Sequence, residues 1–423
     1  MDLKLRVAQG KNRFIELWQY RIFQYAVIIH LLYFIGSFII FSFGAEIDFQ
    51  VYYKVGEVFI TDISDLYNPA NYFFPFRYFP LCAIFFIPYS LLSYELAFII
   101  FNILNLILNI LASVILYKII FLVRSNTHEK EEKRVITYIS LFLIGLPQGS
   151  NYVLGQINIY IVVLILISLF IFLKHEETKW QLIASVILGI SMIIKPITIF
   201  LIPFLIVINY DLKGKKLHFD IKKSLVRIVG MFIPLSLNLI PFLMFPSLLT
   251  GFLETNFSGT APVDINFSFS ITKLITNFSS FYNLPYKQLI VFISVVCVVG
   301  GLGFMIYLLR RTKQHYMIYG FLLGISIMLL VYFDSWDHHL LILTPLLIIA
   351  LFNLPRDSEI TKKFIKPGFI ALNFFNLVFM GVWILTQEFF PYNFVGTIFL
   401  LFIIYGIGIY SLKTDRNTRK SDD

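Results

Sequence analysis

The chain has 423 residues, of which 58% are hydrophobic, 18% aromatic and only 14% charged. A soluble globular domain carries roughly 25% charged residues, so this composition and a mean hydropathy of +0.80 exclude an ordinary soluble protein. The net charge of +9 does not indicate nucleic acid, because most lysines and arginines lie in segments predicted to be cytoplasmic, as the positive-inside rule requires. The sequence therefore indicates a polytopic membrane protein.

The apolar stretches predict twelve transmembrane helices, with both termini in the cytoplasm. The first span covers about residues 22–43 and the second about 94–123, and the outside loop between them ends in an interfacial half-helix, "PLCAIFFIPYS". Two short crossings within 181–209 are expected to hinge at "IKP". The remaining spans are expected near 135–148, 157–173, 225–246, 286–309, 317–333, 338–353, 369–386 and 394–411.

The predicted fold is an all-α bundle forming one integral-membrane domain over residues 1–423. Two long outside loops, about 44–93 and 247–285, are expected to cover an active site on the outer face. Cys82 and Cys297 are the only cysteines and lie in apolar runs. Neither a disulfide framework nor a thiolate metal site is therefore expected.

The stretch "AEIDFQVYYKVGEVF" places Asp48 at the edge of the bilayer, followed by Tyr52 and Tyr53. One interpretation is a helix cap followed by interfacial aromatics. The other is a general base within hydrogen-bond reach of an acceptor hydroxyl. The later stretch "DLYNPANYFFPFRYFPL" includes Arg77 and Tyr78. Its aromatics can anchor the loop at the interface, or hold a sugar while Arg77 holds a phosphate.

Two shorter stretches carry further polar groups. The amides of Gln156 and Asn158 in "GQIN" can hydrogen-bond sugar hydroxyls, or cap and pack helices. Lys195 in "IKP" is a single cation at a proline break near the expected outer face. It either snorkels to the interface or pairs with a lipid phosphate.

The stretch "SWDHH" interrupts two long apolar runs. Asp337 can cap the following helix and favour its positive dipole end. A zinc site needs three or four ligands at compatible spacing. His338 and His339 are adjacent, so on one helix they point about 100° apart, and a metal site is not expected. One of the two histidines is left to face a central cavity and bind an anion.

In this order, these stretches resemble glycosyltransferase family 87, bacterial integral-membrane mannosyltransferases of the GT-C architecture that use polyprenyl-phosphate sugars. The resemblance runs from about residue 46 to 350. The second large loop departs from it, because the family often has an Asn-Gln-Ser run where this chain has "INFSFSITKLI" with Asn266. The matching pieces are "DFQVYY", "DLYNP", "FRYFPL", "IPYSLL", "GQIN", "IIKP" and "SWDHHLLILTP".

The resemblance implies inverting transfer of a sugar, with mannose expected, to a glycan or glycolipid hydroxyl on the outer face of the bacterial cytoplasmic membrane. It implies Asp48 as general base and no required metal or other cofactor. Membrane lipids, the lipid-linked donor and the acceptor are the expected partners, and nucleic acid is not one. Donor-phosphate contacts are expected from Lys195, Arg77, His338 and His339. Sugar or acceptor contacts are expected from Tyr52, Tyr53, Tyr78, Gln156, Asn158, Asp337 and Asn266.

Other classes remain open at this point. Another GT-C transferase for lipid-linked sugars tends to have an adjacent acidic pair in the first loop, whereas this chain has Glu46-Ile-Asp48. A transporter or flippase for lipid-linked saccharides would be expected to spread charged groups through the membrane and to contain a repeat. An O-antigen ligase-like enzyme usually carries Arg and His in a larger outside loop.

Overall fold

The computed structural model describes residues 13–44, 47–124, 129–211, 216–257, 268–310, 315–354, 358–375 and 394–420, and the single positions 378, 381 and 385. These residues are almost entirely helical. A two-stranded antiparallel hairpin, β1 (Ile208–Asp211) and β2 (Lys216–Phe219), pairs Ile208 with Phe219. The prediction of a helical protein is confirmed, with this hairpin as an addition.

The first half of the chain contains nine α-helices and four 3₁₀ segments among the described residues. The 3₁₀ segments are Ile63–Asp65, Pro69–Asn71, Pro80–Phe85 and Pro196–Leu205. The helices are α1 (Arg13–Trp18), α2 (Arg21–Ser42), α3 (Asp48–Thr61), α4 (Ile87–Ser90), α5 (Tyr94–Val123), α6 (Glu129–Ile144), α7 (Leu146–Val153), α8 (Asn158–Lys174) and α9 (Thr178–Ile194).

After the hairpin, the described helices include shorter and interrupted elements. π-helical turns at Val296–Gly300, Thr361–Ile365 and Ala371–Phe375 and a 3₁₀ turn at Asp337–His339 lie between them. The helices are α10 (Ile221–Ser236), α11 (Leu239–Met244), α12 (Pro246–Phe257), α13 (Ile271–Phe281), α14 (Gln288–Val295), α15 (Gly301–Arg310), α16 (Tyr316–Val331), α17 (Leu340–Asn353), α18 (Lys366–Ile370) and α19 (Val395–Lys420).

Four described helices are long and apolar enough to cross a membrane: Arg21–Ser42, Tyr94–Val123, Gln288–Leu309 and Val395–Leu412. Five further apolar helices have 10–17 residues. The expected span at 225–246 is divided instead into α10, α11 and the start of α12. Pro241 and Pro246 lie where these helices begin, and proline cannot donate the backbone hydrogen bond that continues a helix. Twelve spans remain a prediction.

The helices α16 and α17 form the centre of the bundle. Every residue from Met317 to Val331 and from Leu340 to Phe352 is buried. A helix that is apolar all round is stable only when it is covered on every side. The polar turn between these helices is therefore held at the end of the core, where it meets α7 and α8.

The chain breaks at Lys195, as the sequence predicts. Helix α9 ends at Ile194, Lys195 is extended with φ −147° and ψ 112°, and Pro196 starts a 3₁₀ helix. A residue that precedes proline is disfavoured in the α conformation. The break directs the lysine side chain towards the start of α8.

Candidate functional site

Asp48 is the first residue of α3 and does not cap it, because the cap position belongs to Ile47, which makes no side-chain cap hydrogen bond. The backbone N–H of Asp48 donates to the Leu154 carbonyl oxygen at 2.9 Å. Its carboxylate accepts from Gln156 at 2.5 Å. The half-buried carboxylate is therefore directed at the segment that begins α8, and the cap interpretation is not supported.

Gln156 lies at the centre of a hydrogen-bonded cluster. Its Nε2 donates to Asp48 Oδ2, and its Oε1 accepts from Lys195 Nζ at 3.3 Å. The same oxygen accepts from the Tyr52 hydroxyl at 3.2 Å. Because an amide is both donor and acceptor, this single side chain links the carboxylate to the ammonium group.

Lys195 is 3% exposed, so its charge needs polar partners. Its Nζ donates to Asn158 Oδ1 at 2.7 Å as well as to Gln156. Asn158 Nδ2 in turn donates to the His338 carbonyl oxygen at 3.0 Å. The lysine thereby connects the start of α8 to the turn that precedes α17.

Gly155 allows the Gln156 segment to approach α3. Its φ is +62°, and an added Cβ would lie 2.7 Å from the Cβ of Phe49. An L-residue is strained at this φ, and 2.7 Å is too close for two carbon atoms. The glycine in "GQIN" is thus required by backbone geometry and packing.

The Tyr52 ring stacks on Phe86, with ring centroids 4.7 Å apart and an angle of 8° between the planes. This packing holds its hydroxyl 3.0 Å from the Tyr78 hydroxyl and within reach of Gln156. Tyr52 is almost completely buried. The segment predicted to form the first outside loop therefore contributes one wall of the cluster.

A second group of charged residues lies beside the hydrogen-bonded cluster around Gln156. Arg77 forms an ion pair with Asp334, and Lys273 Nζ lies 3.7 Å from the other carboxylate oxygen. Tyr332 lies beside Arg77, and its ring centroid is 5.7 Å from that of His339. Two cations therefore lie beside one carboxylate here.

The turn at 335–339 contains buried polar atoms that make no hydrogen bond to the described part of the chain. His339 Nδ1 accepts from the backbone N–H of Trp336 at 3.1 Å. We infer from this that Nε2 carries the proton. Buried polar atoms without partners are costly, so the turn is suited to a polar ligand or to water. These atoms are Ser335 Oγ, Trp336 Nε1, Asp337 Oδ1, His338 Nδ1 and His339 Nε2.

Burial shifts the pKa values of the ionisable groups in the cluster. It raises the pKa of Asp48, although the hydrogen bond from Gln156 and the charges of Lys195 and Arg77 oppose the shift. It lowers the pKa of Lys195, with the Asp48 charge opposing. It raises the pKa of Asp337 to about 7. Burial thus shifts the pKa of Asp48 upward and the pKa of Lys195 downward.

Most of the residues that the sequence nominates are brought together. Tyr53 is separate, because it lies on another side of α3, where its hydroxyl donates to the Leu92 carbonyl oxygen at 2.8 Å. Asn266 lies outside the described residues. The directly linked residues are Asp48, Tyr52, Tyr78, Gln156, Asn158, Lys195 and His338, with Arg77, Asp337 and His339 adjoining.

Sequence reasoning did not nominate Lys273 or Asp334 as site residues. The available signal was that Lys273 is the single basic residue of the predicted second outside loop. It is 1% exposed and packs over the Phe333 ring at 5.2 Å. Its pairing with Asp334 could not be read from spacing, because Lys273 lies on α13 and Asp334 lies in the turn after α16.

No group of three or more His, Cys, Asp and Glu side chains that could hold a metal ion occurs among the residues searched, which are those the structure describes. The sequence expectation of metal-independent chemistry stays a prediction.

Comparison with known proteins identifies the chain's relationship. A family model described as glycosyltransferase family 87 matches residues 76–332, which confirms the family resemblance found in the motifs. The matched residues include Gln156 and Lys195, whereas Asp48 and His338 lie outside them on either side. No curated protein matches the chain.

Proposed function

This chain belongs to glycosyltransferase family 87 and is a membrane glycosyltransferase; we propose that it moves a sugar from a polyprenyl-phosphate donor to a hydroxyl of a glycan or glycolipid. Mannose is the expected sugar. The observation that carries the proposal is the pair of hydrogen bonds that connect Asp48 to Gln156 and Gln156 to Lys195. It places a candidate base and a candidate phosphate-binding cation on the two sides of one amide.

Asp48 acts as general base in this proposal. It takes the proton of the acceptor hydroxyl while that oxygen attacks the anomeric carbon from the face opposite the phosphate. The bond between the anomeric carbon and the phosphate oxygen breaks, its electron pair stays on the polyprenyl phosphate, and the configuration is inverted. A base works best when its pKa lies near the working pH, which is consistent with the raised pKa of Asp48.

Lys195 stabilises the leaving phosphate. Its Nζ has two amide oxygens as partners, Gln156 and Asn158, and no carboxylate among the described residues within ion-pair distance. The ammonium can therefore turn towards a phosphate without breaking an ion pair. A fixed cation aimed at developing charge is a large source of transition-state stabilisation. Because the leaving group departs as an anion, no strong general acid is required.

The charge group of Arg77, Lys273 and Asp334 is proposed to hold the same phosphate from another side. Arg77 and Lys273 both lie within ion-pair distance of Asp334, so two cations stand close together here. Charge-assisted hydrogen bonds to phosphate are shorter and stronger than neutral ones. The polyprenyl chain would lie along the neighbouring apolar helices.

The sugar is proposed to bind at the 335–339 turn. His339 Nε2 and Trp336 Nε1 supply donors there, and Asp337 Oδ1 supplies an acceptor or, when protonated, a donor. A sugar ring offers hydroxyls that match both kinds of group. This would give partners to buried atoms that have none within the described structure.

The proposed location is the bacterial cytoplasmic membrane, with both termini in the cytoplasm and the site on the outer face. The support is the distribution of lysine and arginine, which favours the cytoplasmic side. The apolar helices support insertion in a membrane.

The proposal is tested with purified protein in lipid nanodiscs, radiolabelled polyprenyl-phosphate mannose and a panel of glycolipid acceptors. We expect sugar transfer by the wild type and not by Asp48→Asn. If the wild type transfers no sugar from any polyprenyl-phosphate donor, the proposed donor class is wrong. If Asp48→Asn keeps near-normal turnover, the assignment of the base is wrong.

A further inference from the structure

A groove of about 310 Å³ lies along α3, away from the charged cluster. It is formed by α3, the first outside segment and the first residue of α5. Four aromatic rings line it, from Tyr53, Tyr72, Phe73 and Tyr94. A volume near 300 Å³ with aromatic walls and a few polar groups is typical of a small-molecule site.

The groove and the charged cluster occupy opposite faces of α3. An α-helix turns about 100° per residue, so Asp48 and Tyr52 share one face. Gln50, Tyr53 and Glu57 lie on the other, where they line the groove. The helix separates the two by its own width of about 10 Å. A ligand of several units can therefore contact both sides.

The charges of the groove cancel. Lys54 Nζ and Glu57 Oε1 are 3.1 Å apart and form an ion pair. Since Lys54 and Glu57 are the only charged residues among the described residues that line the groove, these side chains give the site no excess charge for an anion or a cation. A neutral ligand is favoured.

The polar groups of the groove suit hydroxyls. Gln50 is exposed, and its amide makes no hydrogen bond within the described part of the chain. Asn71 also lines the groove; its Nδ2 donates to the Asp65 carbonyl oxygen at 3.1 Å, and no described group donates to its Oδ1. Amides that both donate and accept match a ligand with many hydroxyls.

The ring of Phe73 adds an exposed aromatic surface to the polar groups of the groove. Phe73 is 60% exposed, so its ring is accessible to a ligand. A sugar ring has one face rich in C–H bonds and hydroxyls at its edge. Such a molecule fits aromatic walls and amides together.

We propose that this groove binds neutral sugar units of the acceptor glycan, remote from the hydroxyl that receives the transferred sugar. The proposal rests on the proposed transferase function and names a second subsite for the same acceptor. The sequence nominated Tyr53 as a sugar-binding residue, and the groove is where the structure places it. Binding there would hold the acceptor while its reactive hydroxyl meets Asp48.

The test measures binding without catalysis. Purified protein in phosphatidylglycerol nanodiscs, free of sugar detergents and choline, is titrated with trisaccharides of mannose, glucose, galactose and N-acetylglucosamine. Phosphocholine and inorganic phosphate are the competing probes. We expect saturable binding of at least one trisaccharide by calorimetry and saturation-transfer NMR.

The test compares one variant in the groove with one variant outside it. Phe73→Ala should weaken trisaccharide binding about tenfold, from loss of one aromatic contact and its buried area. Phe85→Ala is the matched control, because Phe85 is 45% exposed but does not line the groove. If the two variants bind equally, if no trisaccharide binds, or if phosphocholine or phosphate binds in a Phe73-dependent manner, the proposal is overturned.

The acceptor kinetics separate this subsite from the chemistry. With an acceptor of several sugar units, Phe73→Ala should raise the acceptor KM about tenfold and leave kcat and the donor KM unchanged. Asp48→Asn should lower kcat by about 10²- to 10⁴-fold while leaving trisaccharide binding intact. Trisaccharide binding that persists in a protein without transfer activity would contradict the transferase proposal alone, and normal transfer with equal KM for both phenylalanine variants would contradict the groove alone.

Discussion

Gln156 donates to Asp48, 108 positions earlier in the chain, across a distance of 2.5 Å. Its other amide atom accepts from Lys195. The amide thus holds a carboxylate and an ammonium group close together without a direct ion pair among the described contacts. Each charged group keeps some of its hydrogen-bonding capacity for a ligand.

Replacing the proposed base should remove catalysis and retain donor binding. Asp48→Asn keeps the size and the hydrogen-bonding geometry but cannot accept the proton. We expect kcat to fall by about 10²- to 10⁴-fold, the usual contribution of general-base catalysis. Single-turnover transfer of labelled sugar gives the rate, and donor titration gives the affinity. Glu95→Gln is the control, because Glu95 is an exposed acid in the first turn of α5.

The pH dependence should be bell-shaped and narrow. As pH falls through the raised pKa of Asp48, the base becomes protonated and kcat/KM decreases. As pH rises through the lowered pKa of Lys195, the cation is lost and kcat/KM decreases again. The kcat/KM profile reports groups of the free enzyme. It is measured between pH 4 and 10, about the range over which both groups titrate.

Lys195→Arg tests the alkaline side of that profile. Arginine stays protonated throughout this range, so the decrease at high pH should disappear even if the maximal rate is lower. A decrease that persists unchanged in Lys195→Arg would show that another group is responsible. Thermal unfolding of the variant, followed by intrinsic fluorescence, checks that the fold is kept.

Gly155→Ala should disturb both stability and activity. The φ of +62° and the contact with Phe49 make an added methyl group costly, by about 1–2 kcal/mol from the backbone conformation alone. The movement would displace Gln156 from Asp48. We expect a lower melting temperature and a lower kcat. Gly36→Ala in α2 is the control, since its added Cβ meets nothing within 4 Å; equal effects would contradict the packing argument.

Removing Lys273 should weaken donor binding. If its charge helps to hold the phosphate, Lys273→Met should raise the donor KM about tenfold, which corresponds to one charge-assisted hydrogen bond. Lys287→Met replaces an exposed lysine and should leave the donor KM unchanged. Identical donor KM values for both variants and the wild type would exclude Lys273 from phosphate binding.

Much of the candidate site was predictable because its residues stand out against an apolar background. Asp48, Gln156 and Lys195 are polar groups in stretches where lipid or core would favour apolar residues. The break at Lys195 was predictable because Pro196 restricts the residue before it. These are local signals, and the break is confirmed by the extended backbone of Lys195.

The other features of the site and of the fold depend on contacts that the spacing of residues in the sequence does not reveal. Tyr52 and Tyr53 are neighbours in sequence, and only the stacking of Tyr52 on Phe86 determines which of them meets Gln156. The pairing of Lys273 with Asp334 joins segments that the chain brings together in three dimensions. The span count depends on breaks inside apolar stretches, which hydropathy does not resolve.

Membrane orientation can be tested by cysteine labelling in a Cys297→Ser background, where the remaining Cys82 is buried. Ala70→Cys lies on an exposed part of the first outside segment, and Lys222→Cys lies on an exposed part of a predicted cytoplasmic segment. An impermeant thiol reagent should label the first in intact cells and the second only after permeabilisation. The reverse result would invert the proposed topology.

The hydrogen bonds of the cluster also constrain how the protein matures. Asp48 meets Gln156 across 108 residues, and Asn158 meets the His338 carbonyl oxygen across 180. Contacts between distant parts of a chain form late, because long loops must close first. The cluster cannot assemble on a nascent chain until its last contributing turn has been synthesised. A partly synthesised or truncated chain would thus insert its early helices and remain inactive, so that sugar transfer begins only on a chain whose biosynthesis has passed His338.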